Sequence, residues 1–278
     1  MALRAISPDM APTTVSHIDA RLVAIQAENS VSIPLAIESG SRAWGFPSPD
    51  SDYDCRFVFV RSLNQYLTPW QRRDVIETPL ESVFDINGWD LGKALKLMLK
   101  GNAVILEWLR SPIVYCGDEG FRAEFLDLAQ RYANRDLVAR HYLHLGERQR
   151  KIHFGDGAAV PQKKLFYALR PAAALRWLRL HPGEAVPPMH FPTLMDQCAP
   201  SQEVRDVIAE LLERKASTRE LGSSLLPASI ADFLDSEFAQ ARTAFGTGRV
   251  QMPAAAEREA EAFFRDVVVR FAPPDVDA

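Results

Sequence analysis

Asp52 and Asp54 stand two residues apart at the entry to the most strand-like stretch of the chain, Tyr53–Val60 (YDCRFVFV). Alternate residues of a strand share a face, so the two carboxylates project together ~7 Å apart along the backbone, and Arg56 falls on the same side. Two bare carboxylates this close repel each other. A divalent cation relieves that repulsion, and Mg²⁺ typically takes one or two carboxylates together with substrate phosphates. Ten residues upstream, Gly40-Ser41 closes a short apolar run. A glycine turn lets backbone N–H groups approach a phosphate closely, the Ser41 hydroxyl adds a donor, and Arg42 beside it adds charge. A phosphate cradle facing a metal platform is equipment for phosphoryl or nucleotidyl transfer, in which positioning and charge neutralisation do most of the catalysis. Taken alone, an Asp-x-Asp is ordinarily a solvated turn; the Gly-Ser at this spacing and the strong strand behind it favour the functional reading.

The elements needed to hold these residues are legible nearby. Val15–Asn29 has the apolar spacing of an amphipathic helix. Ile33–Ile37 is a buried-strand run, 46–52 a Pro/Ser/Asp loop, and 81–88 another strand. A helix is expected from Asp90 to Lys100, a second helical piece from Asn102 to Arg110, and a short strand at Ile113–Cys116. Helices follow near 119–132, 135–153, 161–181, 201–216, 228–245 and 254–271. Residues 1–14 read as a loose start and 62–80 as irregular. The expected fold is α/β (α+β): a small mixed-sheet domain over 1–117, followed by an all-helical domain over 118–278.

The chain has 278 residues, 47% of them hydrophobic and 24% charged, which excludes a disordered or fibrous protein. No apolar run approaches the ~20 residues of a membrane span and no secretory signal is apparent. Three widely spaced cysteines fit a reducing cytoplasm better than a disulfide scaffold. The net charge of −4 hides a basic stretch: 131–180 holds eleven Lys/Arg against three Asp/Glu. Such a surplus is either a polyanion-binding surface or a solvated helical one. Within it, Lys163, Tyr167, Arg170 and Ala174 fall on one stripe of a helix, with Lys164 about 100° around. Two cations and a phenol on that stripe suit a triphosphate or a backbone phosphate. The alternative is a surface helix whose cations extend along apolar neighbours. His141 and His144, i and i+3, are too few to make a metal site.

The string GSRAWGFPSPDSDYDCRF, with FDINGWDLGKALKLMLKGN, LEWLRSPIVY and KKLFYALRP further on, resembles the polymerase-β nucleotidyltransferase superfamily. More narrowly it is similar to the predicted nucleotidyltransferases of the YcgL and RNA-ligase-associated type. The patches run from about residue 33 to 195. Ala103 and Gly92 depart from that pattern, where Pro and Arg are common.

The resemblance implies a third acidic residue on a neighbouring strand, binding the metal and helping to activate an attacking hydroxyl. Asp85 is the first candidate and Asp90 the second, with Glu38 a weaker alternative. The implied metal ligands are thus Asp52, Asp54, Asp85 and Asp90. Gly40, Ser41, Arg42, Arg56, Lys163, Lys164, Tyr167 and Arg170 would hold the nucleotide, with Lys93 as a further phosphate candidate. The implied activity is Mg²⁺- or Mn²⁺-dependent transfer of a nucleoside monophosphate from an NTP to an acceptor hydroxyl on RNA, protein or a small molecule, releasing pyrophosphate. The competing expectation is a catalytically silent nucleotide- or RNA-binding regulatory partner. A metal-dependent phosphohydrolase would call for histidines near the aspartates, and there are none.

Overall fold

A computed structural model describes residues 1–79, 83–154, 159–218, 222–246, 248 and 250–275. In chain order come β1 (Ala2–Ala5), α1 (Pro12–Asn29), β2 (Val31–Glu38), the one-turn α2 (Gly40–Ala43), β3 (Tyr53–Arg61), α3 (Leu63–Tyr66), β4 (Val75–Glu77), β5 (Phe84–Asp90), α4 (Leu91–Leu99), α5 (Ala103–Arg110) and β6 (Val114–Asp118). These are followed by α6 (Glu119–Tyr132), α7 (Arg135–His153), β7 (Val160–Pro161), α8 (Gln162–Leu180), α9 (Phe191–Cys198), α10 (Gln202–Ser217), β8 (Ser223–Ser224), α11 (Ala228–Phe245) and α12 (Ala254–Phe271). The fold is mixed α/β, as expected. One six-stranded mixed sheet runs β1-β6-β2-β3-β5-β4, with β3 and β5 parallel and the other neighbours antiparallel.

Alternation along β3 sorts the two faces of the sheet. Its odd positions, Cys55, Phe57 and Phe59, join Ile18, Leu22 and Ile25 of α1 in one core. Val58 and Val60 turn the other way, into a larger core shared with α4, α5, α6 and the later helices. That core is continuous through residue 117, because Leu35, Leu106, Phe166, Phe238 and Val267 all belong to it. Its last contributor, α12, returns to pack against β3, α4 and α6. Side-chain caps set where several helices begin: Asp90 accepts the Gly92 N–H at 2.8 Å, and Asn102 those of Val104 and Ile105 at 2.9 and 3.3 Å. Among the described residues no helix is long and apolar enough to cross a membrane.

Three expectations are corrected. The supposedly loose N-terminus supplies an edge strand, β1, paired with β6. The irregular stretch 62–80 contains α3 and β4. The strand expected from Glu81 is seen from Phe84 to Asp90, while Glu81 and Ser82 lie outside the described residues. The basic surplus of 131–180 is largely met within the chain. Arg131 pairs with Asp127 and Glu259, Arg150 with Asp235, and Arg176 and Arg179 converge on the buried Glu237.

One buried ionic knot joins the sheet half to the helical half. Arg170 on α8 and Glu107 on α5, 5% and 4% exposed, form an ion pair. Tyr142 Oη donates to Glu107 at 2.8 Å and Trp44 Nε1 at 3.4 Å, while the Arg170 guanidinium lies 4.1 Å from the Trp44 ring centre. Removing one partner of a buried pair strands the other charge away from water. Glu107→Ala is therefore expected to cost about 3–5 kcal/mol, read as a lower urea midpoint at unchanged denaturant slope.

Candidate active site

Parallel pairing of β3 with β5 sets Asp54 opposite Asp85 and Arg56 opposite Asn87, all on one face. Arg56 lies between the two acids. Its Nη2 donates to Asp85 Oδ2 at 2.6 Å and to Asp54 Oδ1 at 3.2 Å, and its Nη1 donates to the Asp85 carbonyl at 2.7 Å. Asn87 Nδ2 donates to the other Asp85 oxygen. Asp52 precedes the strand, and its carboxylate makes no hydrogen bond or ion pair among the described residues. Burial raises the Asp54 carboxyl above its ordinary pKa; Arg56 pulls it back, and Asp85 and Asp52 push it up again.

Beneath Asp54 lies Glu38, the last residue of β2 and 0% exposed. It accepts the Asp54 backbone N–H at 2.9 Å and a hydrogen bond from Tyr115 Oη. Burial pushes its pKa up to about 7, against the pull of those two donors. Register pairs it with Cys55, so its side chain is on the face opposite Asp54. It supports Asp54 from behind and does not complete the acidic set. Gly40 closes the site from the front. Its φ is +61°, and a Cβ there would overlap the Asp54 carboxylate.

The loop between β2 and β3 is fixed by its own polar groups. Ser41 Oγ donates to Ser51 Oγ at 2.9 Å, and Ser51 Oγ accepts the Ser48 N–H at 2.9 Å. Arg42 donates to the carbonyls of Ser51 and Asp52 at 2.6 and 3.1 Å, with its guanidinium 3.9 Å from the Tyr53 ring centre. Ser41 and Arg42, read from sequence as phosphate contacts, are thus engaged in shaping the loop that presents Asp52.

Helix α8 faces this loop. Lys163 pairs with Asp50 at 2.7 Å and holds that carboxyl below its usual range. Tyr167 packs edge-on to Trp44 at 5.9 Å; burial and the nearby Asp54 raise its hydroxyl pKa. Lys164 lies 5.0 Å from the Tyr167 ring centre. Tyr167 therefore lies near Asp54 and Asp52, with Lys163 on Asp50 and Lys164 against the Tyr167 ring, whereas Arg170 is committed to Glu107 beneath Trp44. Nor does the structure bring Asp90 there. Five residues from Asp85, it is about 16 Å further along the strand and on the other face. Its oxygens cap α4 and accept from Tyr66 at 3.0 Å. Lys93 pairs with Asp74 at that same distant end. His141 accepts the Ala103 N–H at 2.9 Å, a structural bond.

Sequence reasoning missed Lys215. This α10 residue is buried, donates to the Phe46 carbonyl, and lies near Lys163, Asp50 and Arg42. Burial pushes its pKa down to about 8.

The donor set fits a hard divalent cation in part. Asp52 and Asp54 offer carboxylate oxygens of the right chemistry, and the crowding of Asp54 by two other acids is the excess charge such an ion relieves. No three acidic, His or Cys side chains converge on one point among the described residues, since Arg56 holds Asp85 and Asp54. The arrangement fits an ion held by Asp52 and Asp54, with phosphates and water filling the other positions.

A family model described as the RNA repair pathway DNA polymerase beta family matches residues 15–266, through the helical half and into α12. The chain belongs to that family. It is also similar to the protein YcgL of Bacillus subtilis (strain 168), 39% identical over 213 residues that span 77% of this chain and 81% of that protein. The family resemblance carried by the Gly-Ser and Asp-x-Asp strings is thus shown, and it extends past the patches that first indicated it.

Two predictions follow from the packing around Asp54. Gly40→Ala is expected to lose about 1 kcal/mol or more from the backbone conformation alone, and to displace the Asp54 carboxylate. Thermal melts report the first effect and a divalent-metal titration the second. Glu38 has a raised folded-state pKa, so the folded chain binds the extra proton between about 4.5 and about 7. The stability it contributes is present below that window and is lost as pH rises through it. Glu38→Gln, whose Oε1 can accept the Asp54 N–H while its amide nitrogen donates to Tyr115 Oη, does not titrate and should show no such loss. In EDTA the two proteins should diverge above pH 7 and converge near pH 4.5.

Proposed function

We propose that the protein is a divalent-metal-dependent nucleotidyltransferase that moves a nucleoside monophosphate from an NTP to an acceptor hydroxyl and releases pyrophosphate. The observation that carries this reading is the in-register pair Asp54–Asp85, with Asp52 beside it and the Gly40 backbone against it. Membership of a polymerase beta family supports it.

In this reading Asp52 and Asp54 hold Mg²⁺ or Mn²⁺, which supplies charge neutralisation for the triphosphate. Asp85, one strand over, is the acceptor for the proton of the attacking hydroxyl. Lys163 and Lys164 line the α8 side, where the leaving pyrophosphate gathers charge. Trp44 and Tyr167 wall off that side from water. Arg56 offsets the repulsion between Asp54 and Asp85 until metal and substrate arrive.

The Arg56 bridge also favours a second reading. An arginine set between the acids supplies internally the charge that a metal would bring, as suits a nucleotide-binding regulatory partner without turnover. Calorimetric titration of each of the four NTPs separates the two. The first reading expects binding only with Mg²⁺ or Mn²⁺, weakened more than about 10-fold in Asp52→Ala/Asp54→Ala. Binding that is indifferent to metal and to both substitutions favours the regulatory partner. No binding of any NTP by the folded wild type overturns both.

A further inference from the structure

At the end of β5 remote from the paired carboxylates, the chain from α3 to β4 presents a flat aromatic among cations. Trp70 is 79% exposed, and Leu67, three residues before it, 73%. Trp70 borders a cleft of about 300 Å³ lined also by Arg61, Arg72, Lys93 and Lys96. A second cleft of about 370 Å³ continues from it, sharing Arg61 and Arg72 and adding Arg73. Three acids lie among these cations, and each is already taken: Asp90 by Arg61 at 3.5 Å, Asp74 by Lys93 at 3.0 Å, and Glu77 by Arg73. Arg72 and Lys96 have no ion-pair partner among the described residues.

An exposed indole beside unpaired cations has a specific complement. A bare polyanion would use the cations and leave the ring in water. A single nucleic-acid strand offers both parts, phosphates for the cations and bases for the ring, and base–aromatic stacking is sequence-tolerant because every base has a π-face.

We infer that the Trp70–Arg72–Lys96 surface binds single-stranded nucleic acid, with a base stacked on Trp70 and phosphates on Arg72 and Lys96. It is a foothold at the Asp90 end of β5, separate from the candidate active site, and does not depend on the nucleotidyltransferase reading.

The test is fluorescence anisotropy of labelled single-stranded RNA and DNA of one sequence, titrated with the full chain in EDTA and without NTP. Saturable binding of either strand is expected, the preferred sugar identifying the source. Trp70→Ala should weaken it roughly 5- to 100-fold, and Trp70→Phe should restore most of the loss. Arg72→Ala/Lys96→Ala should flatten the salt dependence by about 1.4 log–log units. These side chains are exposed, so unchanged circular dichroism and melting should accompany the losses. No saturable binding, a Trp70→Ala variant that binds like wild type, or equal competition by heparin would each overturn the inference.

Discussion

Two ionised carboxylates side by side on neighbouring strands repel unless a positive charge or a proton lies between them, and here Arg56 supplies the charge. Parallel register leaves no alternative: once β3 and β5 pair as they do, Asp54 faces Asp85. The arginine returns on the same face two residues later and reaches both acids and a carbonyl of the adjoining strand. Glu38 underpins the arrangement from the other face, and Gly40 leaves the room that the Asp54 carboxylate occupies. Each of these residues is constrained by the one acid, so the centre behaves as a unit.

The second constraint is how the helical half is fastened to that unit. Arg170 and Glu107 are buried charges whose partners come from opposite sides of the core, with Trp44 and Tyr142 donating to Glu107 and the Trp44 ring packed on the Arg170 guanidinium. Lys215 does something similar at the loop, where a buried ammonium meets the Phe46 carbonyl. Buried ions of this kind add little net stability, yet they penalise misplacement severely. They fix α8 and α10 against the loop that presents Asp52, which matters more to a positioning site than another apolar contact would.

How much of this was readable follows the range of each interaction. The long helices are local and periodic, and the expected 135–153, 228–245 and 254–271 match α7, α11 and α12. The Gly-Ser turn, the Asp-x-Asp and the strand behind them are likewise local. Edge strands β1 and β4, four and three residues long, depend on distant partners and left no periodic trace. Asp90 was a readable exclusion: five is an odd number, so it and Asp85 cannot share a strand face. Arg170 shows the limit of a helical stripe, which fixes azimuth but not depth. Seven residues beyond Lys163 it is about 10 Å further along the axis and has passed under Trp44. Lys215 had no signal at all, since only the folded chain brings α10 to residue 46.

The return of α12 to the sheet has a temporal meaning. Ser32 Oγ donates to the carbonyl of Phe271, across 239 residues of sequence, and Val267 belongs to the same core as Leu35. During synthesis the sheet emerges first, and α12, which completes the packing on one of its faces, emerges well after β6. Contacts this distant in sequence are slow to form, because the intervening loop must close before they are rewarded. Until then the apolar face that carries Val58 and Val60 has only the earlier helices such as α4 to cover it, and partly covered intermediates of that kind aggregate. The loop meets α8 through Lys163 on Asp50 and Arg170 on Trp44, so a chain released before α8 would present the Gly-Ser and Asp-x-Asp motifs without that wall of the site.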